Sequence, residues 1–154
     1  MQENYWLPGF GFQNIPPLFP IFVKMYKKDF IRYWKTNAAK DWKRVNLLFK
    51  NRDYVFALFC GHLTLEKLVK AHWVKDNTLN HPPKIHNLSK LIAQTKLVLP
   101  DEELIFCADM NKFQIEGRYP DYVSNIYKIA NKTYTFNYIK QCDKLRKKLA
   151  ALLP

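Results

Sequence analysis

Two polar residues past the middle of the chain could bind a negatively charged ligand. Arg118 lies seven residues after Asn111, so a helix that reaches this far places both on one face, in line with the apolar Cys107. A guanidinium and an amide that face a core need polar partners, and a guanidinium suits bidentate contact with a carboxylate or a phosphate. Arg118 therefore either lines a ligand pocket or closes the end of the fold through an ion pair. The candidate partners for that ion pair are Asp41, Glu66 and Asp121.

A second candidate group is the sequence Glu66-Lys67-x-x-Lys70. Glu66 and Lys70 stand four residues apart in the order that favours a helical ion pair, which is typical of a solvated helix face. Glu66 also falls on the apolar stripe of the same segment. This position makes it a candidate partner for Arg118.

Histidine chemistry is predicted at one position. His86 follows a double proline and stands at a predicted helix start, where it either caps the helix or faces a ligand as an acid–base group. The four histidines show no metal-ligand spacing, because His62 and His72 lie about 15 Å apart along a helix. We predict no metal site.

Several other kinds of site lack the residues they need. The chain has no glycine-rich phosphate loop, and Ser89 and Ser124 have no nucleophile-elbow context. An odd number of cysteines without a C-x-x-C pair predicts reduced thiols in a cytoplasmic protein. These cysteines are Cys60, Cys107 and Cys142. The first residues carry no secretory pattern, and the longest apolar run, residues 55–60, is too short to span a bilayer.

The elements that must position these groups are helices. Apolar residues recur at three- and four-residue steps, and no long stretch alternates with period two. The predicted helices cover about residues 29–49, 54–75, 87–97, 101–116, 122–130 and 133–153. The first is predicted to have an apolar stripe of Ile31, Trp34, Ala38, Trp42, Val45 and Phe49. The second is predicted to present one face with Val55, Phe59, Leu63, Glu66, Val69 and Trp73. The third should face the core with Leu88, Leu91 and Ile92. The fourth should face the core with Leu104, Cys107, Ala108, Asn111 and Ile115, and the last with Phe136, Ile139, Cys142, Leu145, Leu149 and Leu152. The pattern predicts an all-α bundle with antiparallel neighbours.

The start of the chain has a different composition. Residues 1–23 hold four of the nine prolines and several aromatic residues, which forbids a regular helix and favours an extended course. We therefore expect an extension at 1–23 and a helical domain at 24–154.

Positive charge is in excess and unevenly spread. The chain has 154 residues and a formal net charge of +12. Residues 24–50 carry nine Lys or Arg against two Asp, and 122–154 carry seven against one, the latter with Lys140, Lys144, Lys147 and Lys148 on the outer helix face. Such an excess predicts a polyanionic partner, such as nucleic acid, a nucleotide or an acidic protein.

The order of several short motifs resembles the HEPN domain family over about residues 29–150. The motifs are Arg32-Tyr33-Trp34 with Ala39-Lys40-Asp41-Trp42, Asp53-Tyr54 with Leu65-Glu66-Lys67-Leu68 and Lys70-Ala71, His86-Asn87-Leu88, and Gly117-Arg118-Tyr119-Pro120-Asp121. The resemblance implies an up-and-down bundle of four to five helices, often dimeric, that binds nucleotides or RNA. It also implies pairing with a small nucleotidyltransferase as the toxin of a toxin–antitoxin pair. Active toxins of the family are ribonucleases with a His four to six residues after an Arg, a motif that this sequence lacks.

The leading hypothesis is a HEPN-like protein, more a binding protein than an enzyme, that takes a nucleotide such as ATP, or RNA. Arg118 would contact phosphate, Asn111 and Tyr119 would shape the pocket, and Lys67, Lys70 and His86 would add binding groups. Asp41 and Glu66 would orient the basic side chains. One alternative is a metal-independent ribonuclease that uses Arg118 and His86, and another is a non-catalytic oligomerisation or adaptor module. The expected partners are a second copy of the chain or the nucleotidyltransferase, with no membrane, metal or resident cofactor.

Overall fold

The computed structural model describes the backbone of residues 26–116 and 120–154. Within these ranges it describes all side chains except those of residues 115–116 and 120–124. These ranges hold six helices and no strand. The helices are α1 Lys27–Lys50, α2 Tyr54–Asp76, α3 Leu88–Ile92, α4 Asp101–Glu116, α5 Pro120–Ile129 and α6 Lys132–Ala151. The predicted all-α up-and-down bundle is confirmed, and the short α3 and α5 bring the number of helices in the described part to six.

Helix α2 is the centre of the bundle. It packs against α1 along most of its length and also against α3, α4, α5 and α6. The prediction of a single inward face for α2 was therefore wrong: 16 of its 23 residues are buried, while the predicted Phe59 and Leu63 are only half-buried. A helix that is apolar all round is stable only when its neighbours enclose it.

Two other predicted faces need correction. On α4 the core is filled by Phe106, Met110 and Phe113 with Cys107, whereas the predicted Leu104 and Ala108 are exposed. Three large side chains at steps of four and three residues bury more apolar area than the Leu104 stripe, so the helix turns them inward. On α6 the predicted Cys142, Leu145 and Leu149 are buried, but Phe136 and Leu152 are half exposed, and Thr135 and Leu153 lie inside.

Side-chain caps set three of the helix starts. Asp53, Asn87 and Asn131 accept hydrogen bonds from the backbone N–H three residues on, at the starts of α2, α3 and α6. Helix α3 is shorter than predicted because the chain tightens after Ile92. There the Thr95 N–H and hydroxyl both donate to the Ile92 carbonyl, at 2.9 and 2.7 Å.

The three cysteines are free and buried. Burial raises the pKa of Cys107 to about 12 and raises that of Cys60 and Cys142 as well. All three thiols therefore stay protonated near neutral pH and are poor nucleophiles. Within the described ranges, no helix has both the length and the apolar character needed to cross a membrane.

Candidate functional site

Helix α2 carries three ionisable side chains at four-residue steps. His62, Glu66 and Lys70 share one face because residues four apart are neighbours on a helix. Their exposed fractions are only 0, 4 and 6%. Lys70 Nζ donates a hydrogen bond to Glu66 Oε1 at 2.7 Å. A pair as deep as this needs further hydrogen bonds to offset the loss of solvation.

The loop between α2 and α3 supplies one of those hydrogen bonds. His86 Nδ1 lies 3.1 Å from Glu66 Oε1 and 3.2 Å from Oε2. Because an ionised carboxylate can only accept, His86 donates from Nδ1. Asn111 on α4 fixes the end of the loop, since its Oδ1 accepts a hydrogen bond from the Leu88 N–H at 2.8 Å.

We refer to these five polar residues as the Glu66 cluster. They are His62, Glu66, Lys70, His86 and Asn111. The cluster opens to solvent through His86, whose side chain is 42% exposed, while the Glu66 and Lys70 side chains are 5 and 7% exposed. Trp34 on α1 covers the other side, with its ring centroid 5.3 Å from Lys70 Nζ. A ligand that approaches from solvent would therefore meet His86 first.

His62 is the deepest member of the Glu66 cluster. Its Nδ1 lies 3.8 Å from Glu66 Oε2, and neither ring nitrogen has a hydrogen-bond partner of normal geometry in the described part of the chain. Burial lowers the pKa of His62 to about 4, against the opposing influence of the Glu66 carboxylate, the Asn111 side chain and the His86 backbone. His62 is therefore neutral near pH 7.

Asp41 forms a separate group of charges between α1 and α2. This buried carboxylate accepts hydrogen bonds from Arg44 on its own helix and from Lys67 on α2. Lys67 is 23% exposed, and its ammonium is directed to Asp41. Among the predicted site residues, Glu66, Lys70, His86 and Asn111 thus come together, while Asp41 and Lys67 pair with each other.

Two predictions about these residues are corrected by the structure, and a third concerns side chains that it does not describe. The ion pair of Glu66 and Lys70 is buried, so the interpretation as a solvated helix face was wrong. His86 does not cap α3, because Asn87 does so by accepting from the Lys90 N–H at 3.0 Å. The remaining predicted residues, Arg118, Tyr119 and Asp121, lie outside the residues whose side chains the structure describes.

The outer face of α6 is less free than its charge suggests. Lys147 pairs with Asp143 at 2.6 Å, and Lys148 pairs with Glu103 on α4 at 2.7 Å. Lys140 and Lys144 stay exposed and have no ion pair among the described residues. About half of this predicted basic face is therefore locally neutralised.

The Glu66 cluster has the chemistry of an anion-binding or proton-transfer site. No group of three or more His, Cys, Asp or Glu in the described ranges is arranged to hold a metal ion. The two ring nitrogens of an imidazole lie on different sides of the ring, so a His86 that donates from Nδ1 to Glu66 directs Nε2 away from that carboxylate. Lys70 holds the Glu66 carboxylate from the buried side.

A family model, the HEPN domain, matches residues 31–151. The chain belongs to the HEPN domain family. The match includes nearly all of the six helices, and so the Glu66 cluster lies within the HEPN domain, while residues 1–23 lie outside the matched range. Comparison with curated proteins and with solved structures gives no match.

Sequence reasoning missed two contributors to the site in this HEPN protein. His62 was considered only as a metal ligand, although its spacing from Glu66 and Lys70 already placed the three on one helix face. Trp34 was assigned to the core stripe, and nothing in the sequence pattern pairs it with Lys70. The His62 signal was available, whereas the Trp34 contact depends on how α1 packs on α2.

Proposed function

We propose that this HEPN protein binds a nucleotide or RNA, with a phosphate group seated at the Glu66 cluster. The observation that carries the proposal is the half-exposed His86, hydrogen-bonded at 3.1 Å to the buried Glu66, which also holds Lys70 at 2.7 Å. A histidine oriented from behind by a carboxylate presents its second nitrogen to an incoming oxygen in a fixed direction. Because the Lys70 ammonium is buried and paired with Glu66, the direct contacts to phosphate come in this proposal from His86 and Arg118, and Lys70 keeps the Glu66 carboxylate in place.

The sequence next to the cluster extends this proposal. Arg118 and Tyr119 follow α4 by two and three residues, and α4 carries Asn111. In the proposal the Arg118 guanidinium makes a bidentate contact with phosphate, and Tyr119 and Asn111 shape the pocket. Lys67 adds long-range attraction only, because it is engaged with Asp41.

The proposed biological setting follows from the family. We propose that the protein pairs with a small nucleotidyltransferase in a toxin–antitoxin system, or forms a homodimer, in the cytoplasm. Three free, buried cysteines support a reducing compartment. Co-expression with the adjacent gene product and light scattering of the purified complex would test the partnership. A monomer that takes up no such partner would contradict it.

The binding proposal is tested by titrating ATP into the wild-type protein and into two histidine variants. His86→Ala should weaken binding about ten-fold or more, because a hydrogen bond to a charged group contributes about 1.5–3 kcal/mol. His81→Ala is the matched control. His81 is exposed in the same loop, and its ring contacts Phe30 rather than the cluster. Arg118→Ala should also weaken binding.

Three results would overturn the proposal. If His86→Ala and Arg118→Ala bind ATP as the wild type does, the Glu66 cluster is not the site. If His81→Ala loses as much affinity as His86→Ala, the loop conformation matters rather than the His86 side chain. If the wild type binds neither ATP nor RNA and forms a stable assembly, the adaptor hypothesis is favoured.

One observation supports a second candidate function, a metal-independent ribonuclease. The pair of His86 and Glu66 has the arrangement of a general base and the group that orients it. His86 would move the 2′-hydroxyl proton, and Arg118 would stabilise the charged phosphorane. RNA cleavage in the presence of EDTA should then vanish in His86→Ala and in Arg118→Ala. Binding without cleavage would leave the first proposal standing alone.

A further inference from the structure

A second basic region lies at the end of the bundle where α1 turns into α2. An open cleft of about 600 Å³ is lined there by Phe49, Lys50, Arg52, Tyr54 and Lys132. We call it the turn cleft. Three of its five residues are cationic and the other two are aromatic. It lies away from the Glu66 cluster, because Tyr54 precedes Glu66 by twelve residues, or about 18 Å along α2.

The turn itself is built in an unusual way. The Arg52 N–H donates to the Phe49 carbonyl at 3.1 Å, and the Asp53 N–H donates to the Leu48 carbonyl at 2.9 Å, which together form a Schellman motif. The residue at the left-handed position of such a motif is usually glycine. Here it is Arg52, with φ at 64°. A side chain with a Cβ strains the backbone at this position, so the guanidinium is held there at some cost in stability.

The charges of the turn cleft are not neutralised. Lys50, Arg52 and Lys132 are exposed, and none forms an ion pair with a carboxylate in the described part of the chain. Asp53, the acidic residue next to the turn, uses Oδ1 to cap α2 at the Phe56 N–H. The cleft is thus a local excess of positive charge that would attract an anion.

The placement of Lys132 works against helix stability. It is the first residue of α6, where the positive end of the helix dipole disfavours a cation. The first turns of α2 and α6 also contain no acidic residue that would offset the dipoles. Neither helix propensity nor the helix dipole therefore explains why a lysine stands at position 132. An anion bound there would explain it.

The aromatic rings of the turn cleft provide apolar faces beside its cations. The Phe49 and Tyr54 ring centroids are 5.6 Å apart, and the half-exposed Phe136 ring lies 6.2 Å from Phe49. A small inorganic anion makes no use of such ring faces. An unpaired base stacks on them, while the sugar–phosphate backbone meets the cations beside them.

We propose that the turn cleft binds a single-stranded polynucleotide, with phosphates at Lys50, Arg52 and Lys132 and a base against Phe49 or Tyr54. Single strands are the class that fits, because only unstacked bases expose the faces that these rings can contact. This site is separate from the Glu66 cluster and does not depend on nucleotide binding there.

The test measures fluorescence anisotropy of labelled oligouridylate, about ten nucleotides long, over a range of salt concentrations. The cleft variant is Lys50→Ala/Arg52→Gly/Lys132→Ala, in which glycine suits the turn, so the fold is kept. The matched variant Lys90→Ala/Lys96→Ala/Lys140→Ala removes the same charge from exposed lysines elsewhere. The cleft variant should bind about ten-fold more weakly near 0.1 M salt, with a log–log salt slope smaller by about 2, since each phosphate contact on a single strand contributes about 0.7.

The aromatic contribution is tested separately. Phe49→Leu and Tyr54→Leu keep apolar volume but remove the ring face. At least one of them should weaken oligouridylate binding about five-fold or more while leaving the salt slope unchanged. Oligodeoxythymidylate, measured in parallel, should also bind the wild type and lose affinity in the cleft variant, because no group in the cleft is committed to the 2′-hydroxyl.

Several results would overturn the proposal. If the matched lysine variant lost as much of the log–log salt slope as the cleft variant, the oligonucleotide would be held by diffuse attraction to the whole surface rather than at a site. Unchanged affinity in both leucine variants would exclude stacking. Competition by duplex RNA or polyglutamate as strong as that by the single strand would mean a general anion site. The cleft variant should bind ATP with the affinity of the wild type, which would show that the turn cleft and the Glu66 cluster are separate sites.

Discussion

The Glu66 cluster and the turn cleft hold their charges in opposite ways, although α2 passes through both. In the cluster, Glu66 is buried and shared between Lys70 and His86, and His62 is buried in the neutral form. In the turn cleft, Lys50, Arg52 and Lys132 are exposed and have no acidic partner among the described residues. Buried, paired charges hold the side chains of the Glu66 cluster in fixed positions, and dissolved salt changes their interaction little. The exposed cations of the turn cleft attract anions strongly, and salt screens this attraction. This contrast suits a protein that attracts a strand at one place and positions one phosphate at another.

The largest expected effect comes from breaking the buried pair of the cluster. Lys70→Met should reduce the free energy of unfolding by about 3–5 kcal/mol, because it removes the buried ammonium and leaves the Glu66 carboxylate buried with His86 as its hydrogen-bond partner among the described residues. Urea unfolding measures the loss. The matched control is Lys132→Met in the turn cleft, which should change stability by no more than about 0.5 kcal/mol.

A double variant sharpens this prediction. Glu66→Gln/Lys70→Met removes both charges and should recover part of the loss, so the double-mutant cycle should show strong coupling. If Lys70→Met and Lys132→Met lowered the free energy of unfolding equally little, the Glu66 cluster and the turn cleft would not differ in how they hold charge.

The second effect is a pH dependence of stability that comes from buried histidines, chiefly His62 of the Glu66 cluster, and that the turn cleft residues should not contribute to. Because burial lowers the pKa of His62 to about 4, below the usual value near 6.5, the unfolded chain binds a proton that the folded chain does not between these values. The free energy of unfolding should therefore have its full value above about pH 6.5. It should fall by up to about 3 kcal/mol as the pH drops to 4. His72 has its pKa lowered by burial too and adds a slope of the same sign.

Unfolding by urea at several pH values checks this prediction. His62→Gln should reduce the slope between pH 6.5 and 4 to the part that His72 contributes, although the absolute stability of the variant is lower. A His62→Gln protein with the wild-type slope would assign the pH dependence to other groups. The turn cleft variants, which change no histidine, should keep the wild-type slope.

The sequence was informative where the pattern is local. Helix periodicity placed the starts of α2, α4 and α6 within a residue of those observed. The structure adds the caps Asp53 and Asn131, which act on adjacent backbone groups and could have been found from the sequence. The inward residues of α3, Leu88, Leu91 and Ile92, were also predicted correctly.

The sequence was less informative where two solutions compete or where the partner is distant. On α4 both the Leu104 stripe and the Phe106 stripe have helical spacing, and only packing against neighbouring helices selects the bulkier one. The pairing of Glu66 with Lys70 follows from their spacing, but its second partner, His86, could not be predicted, because His86 reaches Glu66 through a loop that Asn111 fixes from α4. Burial of Lys70 depends on Trp34 in the same way.

The smallest effect concerns the backbone of the turn cleft. Arg52→Gly should raise the free energy of unfolding by about 1 kcal/mol, because glycine adopts φ near 64° without the Cβ strain that arginine has. Lys50→Gly is the opposite control. It lies in the last turn of α1 and should lower stability by up to about 1 kcal/mol. Both free energies come from urea unfolding.

The two glycine variants also separate stability from binding. Both remove one cation of the turn cleft, so both should weaken oligouridylate binding, while their stabilities move in opposite directions. A more stable Arg52→Gly protein that binds less well would mean that the strain at this turn is retained for the guanidinium it holds. If Arg52→Gly were instead less stable, contacts of the Arg52 side chain would have to outweigh the strain, and the turn cleft would owe its arginine to folding rather than to a ligand.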